Sequence, residues 1–243
     1  KAKTFFHNYW YYSIYLAIIY SASVHIMNRM MKPQKSINLT WFLVAWNSVL
    51  ALFSLAGAIR VGEEFIYVVG NHPLVHSISY MVDPYGPAAF WAFMFAVSKV
   101  IELGDTVFLV LRKKPLIFLH WYHHATVLIY VWHSARELVA SGRWFIFMNF
   151  SIHSLMYTYY AITSAGFHLP RFLSMLITTL QTAQMMIGLA ISCSTFYLKM
   201  IGMHVEQSFG NLALCFAIYA SFALLFINFF RRSYLVHDNI KKE

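Results

Sequence analysis

Charge is what this chain has least of. Asp, Glu, Lys and Arg make up 11% of its 243 residues and hydrophobic residues 60%. A soluble domain carries about 25% charged residues, so most of this surface is excluded from water. Acids are scarcer than bases, with nine Asp and Glu against 18 Lys and Arg and a net charge of +9. Cysteine is nearly absent. Cys193 and Cys215 both fall in apolar stretches, which excludes a disulfide framework and predicts buried, inert thiols. Also missing are a Gly/Ser/Pro-rich linker, an internal repeat, a low-complexity tract and a cleavable-signal pattern. Residues 1–243 therefore read as a single integral-membrane domain.

What remains is apolar and long. Runs of roughly 18 residues or more read as membrane-spanning helices. Seven such segments are predicted, at about 9–27, 38–59, 88–110, 115–133, 144–165, 172–197 and 209–230, giving an all-α polytopic fold. The surplus of positive charge suggests nucleic acid, but topology accounts for it better. With an odd number of spans and the C-terminus in the cytoplasm, the cytoplasmic side carries Arg29, Lys32, Lys35, Arg112, Lys113, Lys114, Arg171, Arg231, Arg232, Lys241 and Lys242. The opposite side carries Lys1, Lys3, Arg60, Arg136, Arg143 and Lys199. Eleven against six follows the positive-inside rule. In this orientation the Asn38-Leu39-Thr40 sequon lies at a cytoplasmic edge and is expected to be unmodified.

Polar groups inside apolar spans are costly and mark function by default. The third segment contains Lys99, Glu102, Asp105 and Thr106 within KVIELGDT. The fourth contains HWYHH, in which His120, His123 and His124 share one helix face. The fifth carries Asn149, His153, Tyr157 and Tyr160 as a stripe, and the sixth Thr178, Gln181 and Gln184. At 1.5 Å per residue from the basic ends, Asp105 and His120 lie roughly 9–10 Å deep. Glu102, His123, His124 and Gln181 lie at roughly 14–15 Å, and His153 near 18 Å. Four helices thus place polar stripes at one level, which predicts a polar chamber opening toward the cytoplasm.

Several chemistries use such histidines. HxxHH spacing occurs in membrane di-iron desaturases and hydroxylases, which need many imidazole ligands. A second HxxHH is missing here, and His72-Pro-Leu-Val-His76 falls on the opposite side in this topology. A three-histidine zinc site is disfavoured because three ligands on one helix face cannot all reach one ion undistorted. A seven-helix receptor or transporter is the non-enzymatic alternative. With no serine–histidine–acid signature and no suitably placed cysteine, histidine itself remains as acid–base catalyst or nucleophile.

The ordered motifs Lys99-xx-Glu102-Leu103-x-Asp105-Thr106, His120-xx-His123-His124, Asn149-xxx-His153-xx-Met156-Tyr157-x-Tyr159-Tyr160 and Thr178-xx-Gln181-xx-Gln184 closely resemble the very-long-chain fatty acid elongases of the endoplasmic reticulum. RKKPLIFLHWYHH looks most like members acting on saturated and monounsaturated chains. Many polyunsaturated-type members carry glutamine where Pro115 stands.

The resemblance implies seven membrane helices, six forming a barrel around an acyl tunnel, with a lumenal N-terminus and a cytoplasmic C-terminus. It implies condensation of a long-chain acyl-CoA with malonyl-CoA to a 3-oxoacyl-CoA two carbons longer. Both are substrates, and no cofactor or metal is implied. The reductases and dehydratase of the cycle would be partners, membrane lipid the surroundings, and a homodimer is compatible with a sequence that leaves oligomeric state open. His123 is expected to be the nucleophile of an acyl-imidazole route. His120, His124 and Asp105 would set tautomers or relay protons, with Asn149 and His153 as oxyanion donors. Lys99, Glu102, Tyr157, Tyr160, Gln181 and Gln184 would support the substrate site, and Arg112, Lys113, Lys114, Arg231 and Arg232 would meet CoA phosphates. Lys241-Lys242 has the form of a di-lysine retrieval signal.

Overall fold

The computed structural model describes residues 2–236, and within them every regular element is helical. Lys1 and the expected di-lysine signal at Lys241-Lys242 lie outside the described residues. In chain order the helices are α1 (Ala2–Tyr9), α2 (Tyr12–Met30), α3 (Thr40–Asn71), α4 (Leu74–Ser79), α5 (Pro87–Ile101), α6 (Gly104–Leu111), α7 (Phe118–Glu137), α8 (Gly142–Ser164), α9 (Arg171–Met200) and α10 (Phe209–Phe230). A π-helical turn over Arg231–Val236 follows α10. Among the described residues, three stretches, Thr40–Asn71, Arg171–Met200 and Phe209–Leu235, are long and apolar enough to cross a membrane.

Local chemistry sets the helix ends. Asn38 Oδ1 accepts from the Thr40 amide and hydroxyl, which starts α3. Pro87 occupies the first turn of α5, where its missing N–H costs nothing. The Ser208 hydroxyl caps α10 by accepting from the Asn211 amide at 3.0 Å. Leu138 ends α7 in the left-handed region, at φ 52°.

The third apolar segment is not the continuous helix expected from 88–110. It breaks between α5 and α6. Glu102 N still bonds Ser98 O, but Leu103 N bonds Val100 O and Asp105 N bonds Glu102 O. This tighter i→i−3 winding rotates the helix face over one turn. Lys99 and Glu102 therefore face α8, while Thr106 turns to the Tyr20 hydroxyl of α2 at 2.6 Å.

The helices pack closely along two seams. Between α3 and α8, a Cβ at Gly57 would fall 2.6 Å from the Phe150 ring. Between α9 and α10, a Cβ at Gly188 would fall 2.2 Å from the Tyr219 ring. Tyr219 is buried and has little room to move, because Phe145 and Phe222 pack against it. Gly188→Ala is expected to lower stability by about 1–3 kcal/mol through overpacking, measured as a lower unfolding midpoint in detergent.

Cys215 is fully buried beside Ser192, but Cys193 is exposed, contrary to the expectation for both. Its position on α9 turns it away from the α9–α10 seam that encloses Cys215. On the opposite face of the molecule from Arg112–Lys114, the buried Arg143 pairs with Glu64 at 2.9 Å and donates to Tyr80 O at 2.7 Å. His72 and His76 stack face to face there, with centroids 4.5 Å apart. Burial, and then the neighbouring His72 and Arg143, hold His76 below the ordinary histidine range.

Candidate functional site

A cavity of about 430 Å³ draws its walls from α3, α6, α7, α8, α9 and α10. It collects Asp105, His120, His123, His124, His153, Tyr157, Tyr160 and Gln181, with Arg112 and Lys114 at the end nearest the α6–α7 connection. The polar stripes predicted at one depth thus share one chamber.

The three box histidines keep the relation set by helical spacing. His120 and His124 lie 4.6 Å apart between centroids, and His123 is perpendicular to His124 at 5.8 Å. Phe222 covers one side of His123 at 4.5 Å. His123 Nδ1 and His120 Nε2 are buried without a hydrogen-bond partner. Buried polar atoms left unpaired are uncommon.

Asp105 is held by two donors. The Trp46 indole N–H reaches Oδ1 and the Tyr157 hydroxyl reaches Oδ2, each at 2.7 Å. These bonds fix the carboxylate and tie Tyr157 of α8 to it. Trp46 is a site residue that the sequence reading missed. Its only signal was an indole inside an apolar span, which needs an acceptor once buried.

Behind the cavity wall runs a second network. Lys99 Nζ donates to both Glu102 oxygens at 2.9 and 3.0 Å and to Asn149 Oδ1 at 2.9 Å. Ser98 adds a donor to Glu102 Oε1 at 2.9 Å. Asn149 Nδ2 lies 3.2 Å from His153 Nε2. An ammonium only donates, so the Asn149 atom facing it is the carbonyl oxygen, and the amide NH₂ faces His153. His153 Nε2 is therefore the acceptor and Nδ1 carries the proton, 3.7 Å from Glu102 Oε2. In this arrangement His153 cannot donate through Nε2. The Asn149 carbonyl and one of its two amide hydrogens are engaged.

Other expected residues fall differently. Gln181 donates to Met156 Sδ at 3.3 Å in the cavity wall, whereas Gln184 is buried outside it. Lys113, expected at the CoA phosphates, donates to Lys32 O and Gln34 O, both at 2.9 Å, and ties the α2–α3 loop to the end of α6. Arg231 and Arg232 are exposed on the π-helical turn and do not line the cavity. Among the described residues, no three His, Cys, Asp or Glu side chains converge as a metal-holding group.

Nearly the whole chain, the chamber included, matches a known family. The model of the GNS1/SUR4 family, ELO, matches residues 5–242. This chain belongs to that family. Among its relatives, very long chain fatty acid elongase 6 of Drosophila melanogaster is 46% identical over 234 residues, covering 93% of this chain and 72% of that protein. Very long chain fatty acid elongase 3 of Homo sapiens is 39% identical over 236 residues, covering 96% and 86%. Human very long chain fatty acid elongase 6 is 39% identical over 230 residues, covering 93% and 85%. The match to the ELO family covers every residue that lines the histidine chamber.

Proposed function

We propose that this ELO chain catalyses the condensing step of fatty acid elongation. A long-chain acyl-CoA and malonyl-CoA give a 3-oxoacyl-CoA two carbons longer, with release of CO₂ and CoA. The observation that carries the reading is the convergence of His120, His123, His124 and His153 in one chamber with basic residues at one end.

His123 attacks the acyl thioester, forming an N–C bond as the C–S bond breaks and CoA leaves as thiolate. Malonyl-CoA then loses CO₂, and the electron pair of that bond becomes an enolate. The enolate carbon attacks the acyl-imidazole carbonyl, the C–N bond breaks and His123 is restored. The proton consumed overall ends on the CoA thiol. Two steps of modest barrier replace one difficult step. Phe222 against His123 supports an acyl group held away from water. The Asp105–Trp46–Tyr157 unit and the Lys99–Glu102–Asn149–His153 network position the walls. Arg112 and Lys114, which line the cavity, would meet the CoA phosphates in this reading.

In the same reading the seven apolar segments are seven spans, six of them enclosing the acyl tunnel. The protein resides in the endoplasmic reticulum membrane with its N-terminus lumenal and its C-terminus cytoplasmic, as one domain. It hands its product to separate reductases and a dehydratase. The test is incubation of purified enzyme with labelled malonyl-CoA and a panel of acyl-CoAs. The expected result is label in 3-oxoacyl products two carbons longer than each accepted substrate. Absence of label in every product would sink the reading.

A further inference from the structure

Helix α6 ends on a turn that ordinarily calls for glycine. Among the described residues, Lys113 and Leu138 are the two non-glycine residues with positive φ, and Lys113 stands at 56°. At this helix end the Lys113 amide bonds Val110 O at 2.9 Å and the Lys114 amide bonds Leu109 O at 3.0 Å. That is the paired bonding of a Schellman stop, with Lys113 in the left-handed place. Glycine favours that place because a side chain crowds the backbone there. A lysine held in such a conformation points to a task for its side chain.

The side chain reaches across to another segment. Its ammonium donates to Lys32 O and Gln34 O of the α2–α3 loop, both at 2.9 Å. One backbone bond joins the same two segments, from the Ile37 amide to Leu111 O at 3.1 Å. Glycine at this position would make the turn without the tie.

The neighbours of Lys113 do something different. Arg112 and Lys114 line the histidine cavity, and Lys113 does not. Three successive basic residues therefore divide their work. Two present charge to the cavity, and the one between them anchors the backbone that carries both. Long basic side chains lose rotamer freedom when they meet an anion. A fixed backbone limits how much more has to be ordered on binding.

We propose that Lys113 is a positioning residue, whose left-handed turn and tie to the α2–α3 loop hold Arg112 and Lys114 in register for one phosphate-bearing ligand. This rests on the condensation reading, which supplies the CoA portion of the substrate as that ligand. Lys113 itself touches no phosphate. Its loss leaves both cations in the chain and frees the turn that spaces them.

The test uses the full chain, with KM and kcat for acyl-CoA read from labelled malonyl-CoA incorporation and affinity read by titration with CoA alone. Lys113→Gly relaxes the strained turn and loses the tie, so its unfolding midpoint is expected to move little. Its KM is expected to rise about tenfold and its affinity for CoA to fall about tenfold, with kcat within about threefold of the unmodified enzyme. Lys113→Met keeps the aliphatic stem, removes the ammonium and is expected to behave alike. Lys35→Ala removes one exposed charge from the same loop without touching the tie, and both constants are expected to stay within about threefold. Unchanged KM and CoA affinity in the Lys113 variants would overturn the proposal. So would an equal loss in Lys35→Ala, which would make bulk charge the cause, or a fall in kcat alone. If Lys113→Gly does not fold, Lys113→Met decides by the same readings. Absence of both incorporation and CoA binding in the unmodified enzyme would overturn the condensation reading instead.

Discussion

His123→Ala is expected to lower condensation roughly a thousandfold or more, the scale on which loss of a nucleophile acts. The argument is geometric. Of the three box imidazoles, His123 lies against Phe222 in the wall of the cavity. An acyl group attached there would lie against an apolar ring. His120 and His124 lie beside one another on the same wall, and their alanine variants are expected to fall less far. The substitution should leave folding nearly intact, because no hydrogen bond from the His123 side chain holds another element in place. A rate assay paired with an unfolding measurement checks both halves. A His123→Ala enzyme that retains more than about a tenth of its turnover would remove the nucleophile from the mechanism.

Glu102→Ala is expected to have the largest effect on stability, about 3–5 kcal/mol, because it strands a buried cation. The side chains of Lys99 and Glu102 are only 4% and 7% exposed and pair at 2.9 Å. Without Glu102, Lys99 keeps the Asn149 carbonyl as an acceptor but loses its counter-charge. Replacing both residues, as Lys99→Met with Glu102→Leu, is expected to recover most of that stability, since apolar groups of similar volume often match a buried pair. Activity should not recover with it. The double variant removes the donor that orients the Asn149 amide and, through it, the tautomer of His153. For a chain of this size, the single variant's loss corresponds to a fall of roughly 6–20 °C in unfolding midpoint. Equal stability of the single and double variants would contradict this account of the network.

Why some of this was legible beforehand follows from helical periodicity. Residues three and four apart share a face, so the stripes of α7 and α8 could be read before any packing was known. Depth could be counted from basic ends, which is why Asp105, the box histidines, His153 and Gln181 were expected together and line one cavity. What escaped depends on contacts across helices or on backbone detail. Trp46 sits in a long apolar run where no period distinguishes it, yet its indole holds Asp105. Lys113 looks like one more cytoplasmic charge, but its ammonium is engaged by two carbonyls of a loop about 80 residues earlier in the chain. The break at Glu102–Leu103 carries no proline, and its one local signal is the adjacent Gly104. Arg143 counted as an outer-side charge is in fact buried against Glu64.

The central claim is that the histidine chamber transfers an acyl group through His123. It is tested most directly by intact-mass and peptide mapping after incubation with a long-chain acyl-CoA in the absence of malonyl-CoA. The account predicts a mass increase of one acyl group on the peptide containing His123, lost in His123→Ala and discharged when malonyl-CoA is added. An active preparation that carries no adduct, or carries it on Cys193 or any other residue, would contradict it.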